Sequence, residues 1–203
     1  MAVQITGYPY RQALSRQLKA ILIATAVPSI NMNLTLQMGA AGVPSGKIPQ
    51  FADVNVVIGD LMNIQEPTIC IVGSGEDIGW LGAGGGGAQQ DIFGTQIRIK
   101  TPWSANNFPE DFELLFSVCT DTIRDCLNQS ANTKIKPVNP HNQKPLIAGG
   151  GTFRSCMMTG SRPMTFPTNS TPGADTITRT RGWLITHIAK IDSNVGRPNA
   201  LGQ

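Results

Sequence analysis

The chain predicts an α+β fold, an antiparallel sheet with two helices packed on one of its faces. Two stretches, residues 8–27 and 109–129, carry apolar side chains at helical spacing. Each is followed by a pair of short apolar runs of strand length, so the expected order is α-β-β-α-β-β. Glycine- or proline-rich text parts these runs and reads as long inserted loops at 28–66, 73–92, 128–151 and 160–175. Helices and strands in this order bury their apolar faces as two layers around one core. A length of 203 residues suits one such domain spanning 1–203.

The first helix sets Tyr10, Leu14, Leu18, Ile21, Leu22 and Thr25 on one side, with Arg11, Gln12, Ser15, Arg16 and Lys19 opposite. Pro28 lacks an amide hydrogen and is expected to end it. Basic residues before the apolar run 20–27, and the small residues 24–26, imitate a secretory leader. That run is only eight residues long, and the helical stripe continues back through the charged half, so the segment reads as part of the fold. No apolar stretch approaches the ~20 residues of a membrane span.

Residues 53–58 (DVNVVI) have strand character, and 67–72 (PTICIV) form a short continuous apolar strand. In the strand 93–100, Phe93, Thr95, Ile97 and Ile99 point one way, while Gln96, Arg98 and Lys100 point the other. The glycine-dense segment 73–92 between them reads as a long, mobile hairpin tip. The second helix opens on Pro109, whose fixed φ suits a first turn, with Glu110 and Asp111 complementing the dipole. Its buried stripe is Phe112, Leu115, Phe116, Cys119, Ile123, Cys126 and Leu127. Leu18, Leu22, Leu115, Phe116 and Ile123 should meet where helices and sheet join. Strands at 152–159 and 176–191 close the order.

Only 14% of residues are charged, against roughly 25% in ordinary soluble domains. A surface so neutral suits a protein buried among neighbours. The charge is unevenly placed. Residues 1–125 hold 7 basic and 11 acidic side chains, a balance of −4, and residues 126–203 hold 9 basic and 2 acidic, a balance of +7. Solvated loops beside an acidic helix start account for this pattern. So does head-to-tail contact between unlike faces of repeated subunits, or a surface facing nucleic acid.

Chemical motifs are weak throughout. Gly82 to Gly87 satisfies GxGxxG, but the text runs on into a strand and offers no helix N-terminus to hold a pyrophosphate. Gly73-Ser74-Gly75 lacks the outer glycine of a nucleophile elbow, because position 72 is Val. His187 in a strand and His141 in a loop have no carboxylate partner evident in the sequence. Cys70, Cys119, Cys126 and Cys156 lack CxxC pairing and read as buried reduced thiols. The expectation is a protein without catalytic residues, cofactor or metal.

Residues 10–22 (YRQALSRQLKAIL), 67–72 (PTICIV), 95–100 (TQIRIK) and 112–124 (FELLFSVCTDTIR), with the last two strands, cover about half the chain. In this order they resemble the tail-terminator (tail-completion) proteins of long-tailed bacteriophages. The resemblance implies a structural virion protein, not an enzyme, that forms a hexameric ring capping the finished tail tube and docking to the neck beneath the capsid. Its partners would be further copies of itself, the tail tube protein and a neck or head-completion protein. DNA would at most pass through the lumen, no membrane would be involved, and assembly would occur in the host cytoplasm. The chain departs from the pattern by its length at 28–66, 73–92 and 128–151. This leaves another neck or connector protein, or a non-viral oligomeric scaffold or binding module, as alternatives. Self-association or partner contact is expected at Gly84, Gly85, Gly86, Trp80, Arg98, Lys100, Arg179 and Arg181.

Overall fold

A computed structural model describes residues 10–62, 64–80, 88–102, 109–129, 131–136, 138, 142–144, 152–167 and 179–194. Helix α1 (Tyr10–Ile21) passes through a π-helical turn (Leu22–Ala26) into α2 (Val27–Ala40). After irregular chain come β1 (Val56–Ile58), β2 (Thr68–Trp80) and β3 (Ala88–Lys100). Then follow α3 (Pro109–Leu127), β4 (Arg154–Pro167) and β5 (Arg179–Asn194). The five strands form one sheet in the order β1-β2-β3-β5-β4. The fold is α+β, and the hairpins β2–β3 and β4–β5 join along the antiparallel β3–β5 ladder. β1 adds a short parallel edge to the antiparallel set.

One apolar cluster lies between helices and sheet. Leu14, Leu18 and Leu22, with Leu115, Phe116, Cys119 and Ile123, are buried against Ile69, Ile71, Phe93, Ile97 and Ile99. All five residues expected at the helix–sheet junction are within 1% of complete burial. The period-two alternation of β3 also holds, with Phe93, Thr95, Ile97 and Ile99 on the helix side.

Three sequence expectations are corrected. First, the helix does not stop at Pro28. The π turn bonds the Val27 amide to the Leu22 carbonyl, which widens the backbone where a proline ring would otherwise strike the carbonyl four residues earlier. Pro28 then sits in the first turn of α2. The continuous element Tyr10–Ala40 is long and apolar enough to cross a membrane by length and composition, contrary to the expectation for this chain. Its Leu14, Leu18, Leu22, Ile30, Leu34 and Met38 side chains are fully buried within the fold.

Second, most of 73–92 is strand rather than loop. β2 continues to Trp80 and β3 begins at Ala88, paired from Thr68↔Lys100 to Trp80↔Gln89. Glycine weakens a strand only modestly, and this stretch of β3 is also paired to β5 as far as Ala88↔Asn194. A bulge at Ser74 marks the irregularity. A Cβ on Gly94 would come within 2.6 Å of Ser74 Oγ, so a larger residue here would require the Ser74 side chain to rotate away. Third, the 160–175 tip is shorter than expected, because β4 runs to Pro167 through two bulges. The 28–66 loop is likewise largely replaced by α2, β1 and short 3₁₀ turns. Of 128–151, the described part includes an antiparallel bridge between Ile135 and Phe153.

Candidate assembly surfaces

Among the described residues the helices lie on one face of the sheet, and the other face can be built row by row from the register. Arg98, Leu184 and Arg162 pair across β3, β5 and β4 and so share a side. The next rows on that side are Gln96–Thr186–Gly160, Gly94–Ile188–Met157 and Ile92–Lys190–Arg154. Cations sit towards both ends of this face, joined at the Lys190 end by the register positions of Asp77 and Asp192, with neutral or apolar groups between them. Met157 is 44% exposed, Arg154 and Arg162 are exposed, and Ile188 and Lys190 are half-buried.

At the β2 end a polar cluster organises this face. Arg98 donates from Nη1 to Asp60 Oδ2 and from Nε and Nη2 to Gln96 Oε1. Lys100, only 1% exposed, donates from Nζ to Asp60 Oδ1 and to the Leu61 carbonyl. One carboxylate thus serves two cations. Beside them burial pushes the Cys70 thiol up, against the Leu61 backbone hydrogen bond and the Lys100 charge.

The helical side is mixed in sign, and on α1 Arg11 and Arg16 are exposed and Lys19 half-buried. On α3 the outward row is Glu113, Ser117, Asp121, Arg124 and Asp125, and Arg124 pairs with Asp121 at 2.5 Å. On α2, Met32 and Leu36 are 58% and 64% exposed, four residues apart on one side of the helix. Asn33 Nδ2 donates to Thr122 Oγ1 at 3.1 Å, so these two exposed rows flank the α2–α3 seam.

Two further features lie within the fold. His187 points into the core opposite Thr95, with neither ring nitrogen partnered, and burial pushes its pKa down to about 4. An imidazole held neutral and sealed from solvent is a poor general base. A cleft of about 430 Å³ opens between α3 and the β4–β5 pair, lined by Phe112, Glu113, Phe116, Met164 and Trp183. Phe116 and Trp183 stack at 5.9 Å there. The four cysteines are buried and free, as expected, and burial raises their pKa values, that of Cys156 to about 11. Such thiols are protonated and unreactive at neutral pH. Among the described residues no group of three or more His, Cys, Asp or Glu side chains converges as a metal site would.

Of the residues expected to make contacts, Arg98 and Lys100 are brought together, but over Asp60 of their own chain. Trp80 pairs with Gln89 in β2–β3, and Arg179 and Arg181 pair with Pro167 and Thr165 in β5–β4. The side chains of these three, and all of Gly84, Gly85 and Gly86, lie outside the described residues. Arg154, Arg162, Met157 and Lys190 escaped sequence reasoning. The alternation Leu184, Thr186, Ile188, Lys190 was the available signal, and it required knowing that β5 is a central strand.

No protein-family model matches the sequence, and no curated protein matches it. Among solved structures the chain is similar to one from a particle described as "Virion of native gene transfer agent (GTA) particle". The identity is 8% and the TM-score 0.32, over 84% of this chain and 96% of the other. A likeness of that size carries no functional argument.

Proposed function

We propose that the chain is a structural subunit of a phage-type virion, acting by self-assembly rather than catalysis. In this proposal it forms a cyclic ring, most simply of six copies, that ends the tail tube and joins it to the neck. The observation that carries the proposal is a two-layer core built from the segments that resemble tail terminators. Residues 10–22 supply the α1 row, 67–72 and 95–100 the paired cores of β2 and β3, and 112–124 the buried face of α3. Exposed Met32, Leu36, Val54, Leu61, Met62 and Met157 support a surface that meets protein, since large apolar groups gain by leaving water.

Native mass measurement of the purified chain tests the proposal, alone and with a tail tube protein from the same genome. A closed hexamer weighs about 130 kDa, six times 21.7 kDa, and should appear capping tube ends in electron micrographs. Monomer alone, at high concentration and with tube present, would overturn it. Rings that ignore the tube but bind a neck protein would move the chain to another connector position.

A further inference from the structure

We propose that residues 59–62 form a strap across the outer side of the sheet, hinged at Gly59 and latched by the Asp60 carboxylate, that opens while the core stays folded. The inference concerns a single copy and stands apart from the assembly proposal.

β2 lies between β1 and β3 in the sheet. The chain leaves β1 at Ile58, yet Asp60 is bonded to Arg98 and Lys100 on β3, two strand spacings or about 10 Å away. The segment between therefore passes over β2. Cys70 stands at that crossing. It is paired with Arg98, on the side opposite the buried Ile69 and Ile71, and the Leu61 backbone hydrogen-bonds its thiol. Cys70 and Lys100 are 0% and 1% exposed, on a side where no helix packs among the described residues. Their cover at this point is the strap.

The ties that hold the strap down are polar. Asp60 bridges both cations, and the Leu61 carbonyl accepts from Lys100 Nζ at 2.6 Å. Its apolar side chains add little, since Leu61 and Met62 are each 43% exposed. Gly59 has a φ of +112°, with nothing within 4 Å of where a Cβ would stand, so the backbone has room to swing there. β1 is anchored separately, by its ladder to β2 and by the bond from the Gly59 amide to the Ile71 carbonyl. On the far side Glu66 is fixed by Asn55 and Thr68. A short segment with few buried apolar contacts, between two fixed ends, is the kind of piece that opens locally. Opening uncovers Cys70 and separates Asp60 from its cations, so this corner of the surface has two states. A partner that binds one of them better shifts the balance.

Native-state thiol labelling tests the strap, with a small maleimide as probe and peptide mass mapping to resolve the four cysteines. Cys119, also 0% exposed but within the helix–sheet core, reports global unfolding. In the parent, Cys70 should label faster than Cys119 and with weaker dependence on added urea, because local opening exposes little surface. Asp60→Asn alone removes an anion beside the thiol and strands Lys100, so the deciding variant is Asp60→Asn with Lys100→Met. That pair removes one charge of each sign and both strap ties to Lys100. Cys70 labelling should then rise roughly tenfold or more, as expected for loss of a charge-assisted hydrogen bond, with Cys119 much less affected.

Cys70 labelling in that variant no faster than in the parent would show that Asp60 is not the latch. Cys70 and Cys119 labelling together, with the same urea dependence, would show that the thiol is reached only through global unfolding. Either result overturns the strap.

Discussion

At the scale of the residue, buried polar groups are where this chain is most sensitive. His187 is 1% exposed, with neither nitrogen hydrogen-bonded, and is held neutral with its pKa pushed down to about 4. In the unfolded chain a histidine titrates near 6.5. Between pH 6.5 and 4 the unfolded chain therefore takes up a proton that the folded one refuses, and stability falls with pH across that window. The full effect is about 3 kcal/mol. His187→Leu should remove this component, visible as the difference between the two stability curves, and should not lower the melting temperature at pH 7. A parent curve parallel to that of the variant would refute the burial argument. Lys100 gives the complementary case. Asp60→Asn takes away its carboxylate and should cost about 3 kcal/mol in urea unfolding, the lower end expected for breaking a buried pair because Asp60 is 29% exposed. Adding Lys100→Met should recover much of that loss. An Asp60→Asn variant as stable as the parent would mean that Lys100 finds water on its own.

At the scale of the element, the long N-terminal helix shows how one local device reconciles two faces. A π turn is one residue longer than its α counterpart, so Leu22–Ala26 acts as a one-residue insertion ahead of Pro28. Deleting exposed Ala24 should restore an α register while leaving the Leu14–Leu18 and Ile30–Leu34 rows almost in phase. Pro28 would then strike the carbonyl four residues back, costing about 3 kcal/mol. The same deletion combined with Pro28→Ala should cost much less, and thermal melts of the two deletions should separate accordingly. Equal melting would show that the π turn is not there for the proline. The stripe of α1 and that of α3 were both legible, because Leu14, Leu18 and Leu22, and Leu115, Cys119 and Ile123, recur at helical spacing. α2 was not, since apolar Met32 and Leu36 face outward as Ile30 and Leu34 face inward, which erases the period.

At the scale of the whole molecule, exposed charges of both signs lie on the helical layer, Arg11, Arg16 and Arg124 beside Glu113, Asp121 and Asp125, while Arg154 and Arg162 are exposed on the sheet. Exposed charges are screened over about 10 Å at 0.1 M salt. Self-association should thus weaken by roughly tenfold between ~0.05 and ~0.5 M salt if charge matching governs the contact. Sedimentation across that range measures it. Association that tightens with salt would assign the binding energy to the apolar groups Met32, Leu36 and Ile188 instead.

Periodicity and chemistry along the chain were enough for the α+β class, the two buried helical stripes, the inward row of β3 and the burial of the four thiols. All of these depend on residues a few positions apart, whose spacing reads out directly as a face. The strand status of 73–80 and 88–92, the parallel edge β1, the place of β5 beside β3 and the capture of Arg98 and Lys100 by Asp60 could not be read so. Each is decided by partners far away in sequence: the ladder from β5 holds glycine-dense strands that local propensity disfavours, and Asp60 lies 38 and 40 residues from its cations. The gathering of Arg98, Arg162 and Lys190 on one side of the sheet is likewise a tertiary product, because they belong to three strands and share a side only when register aligns them.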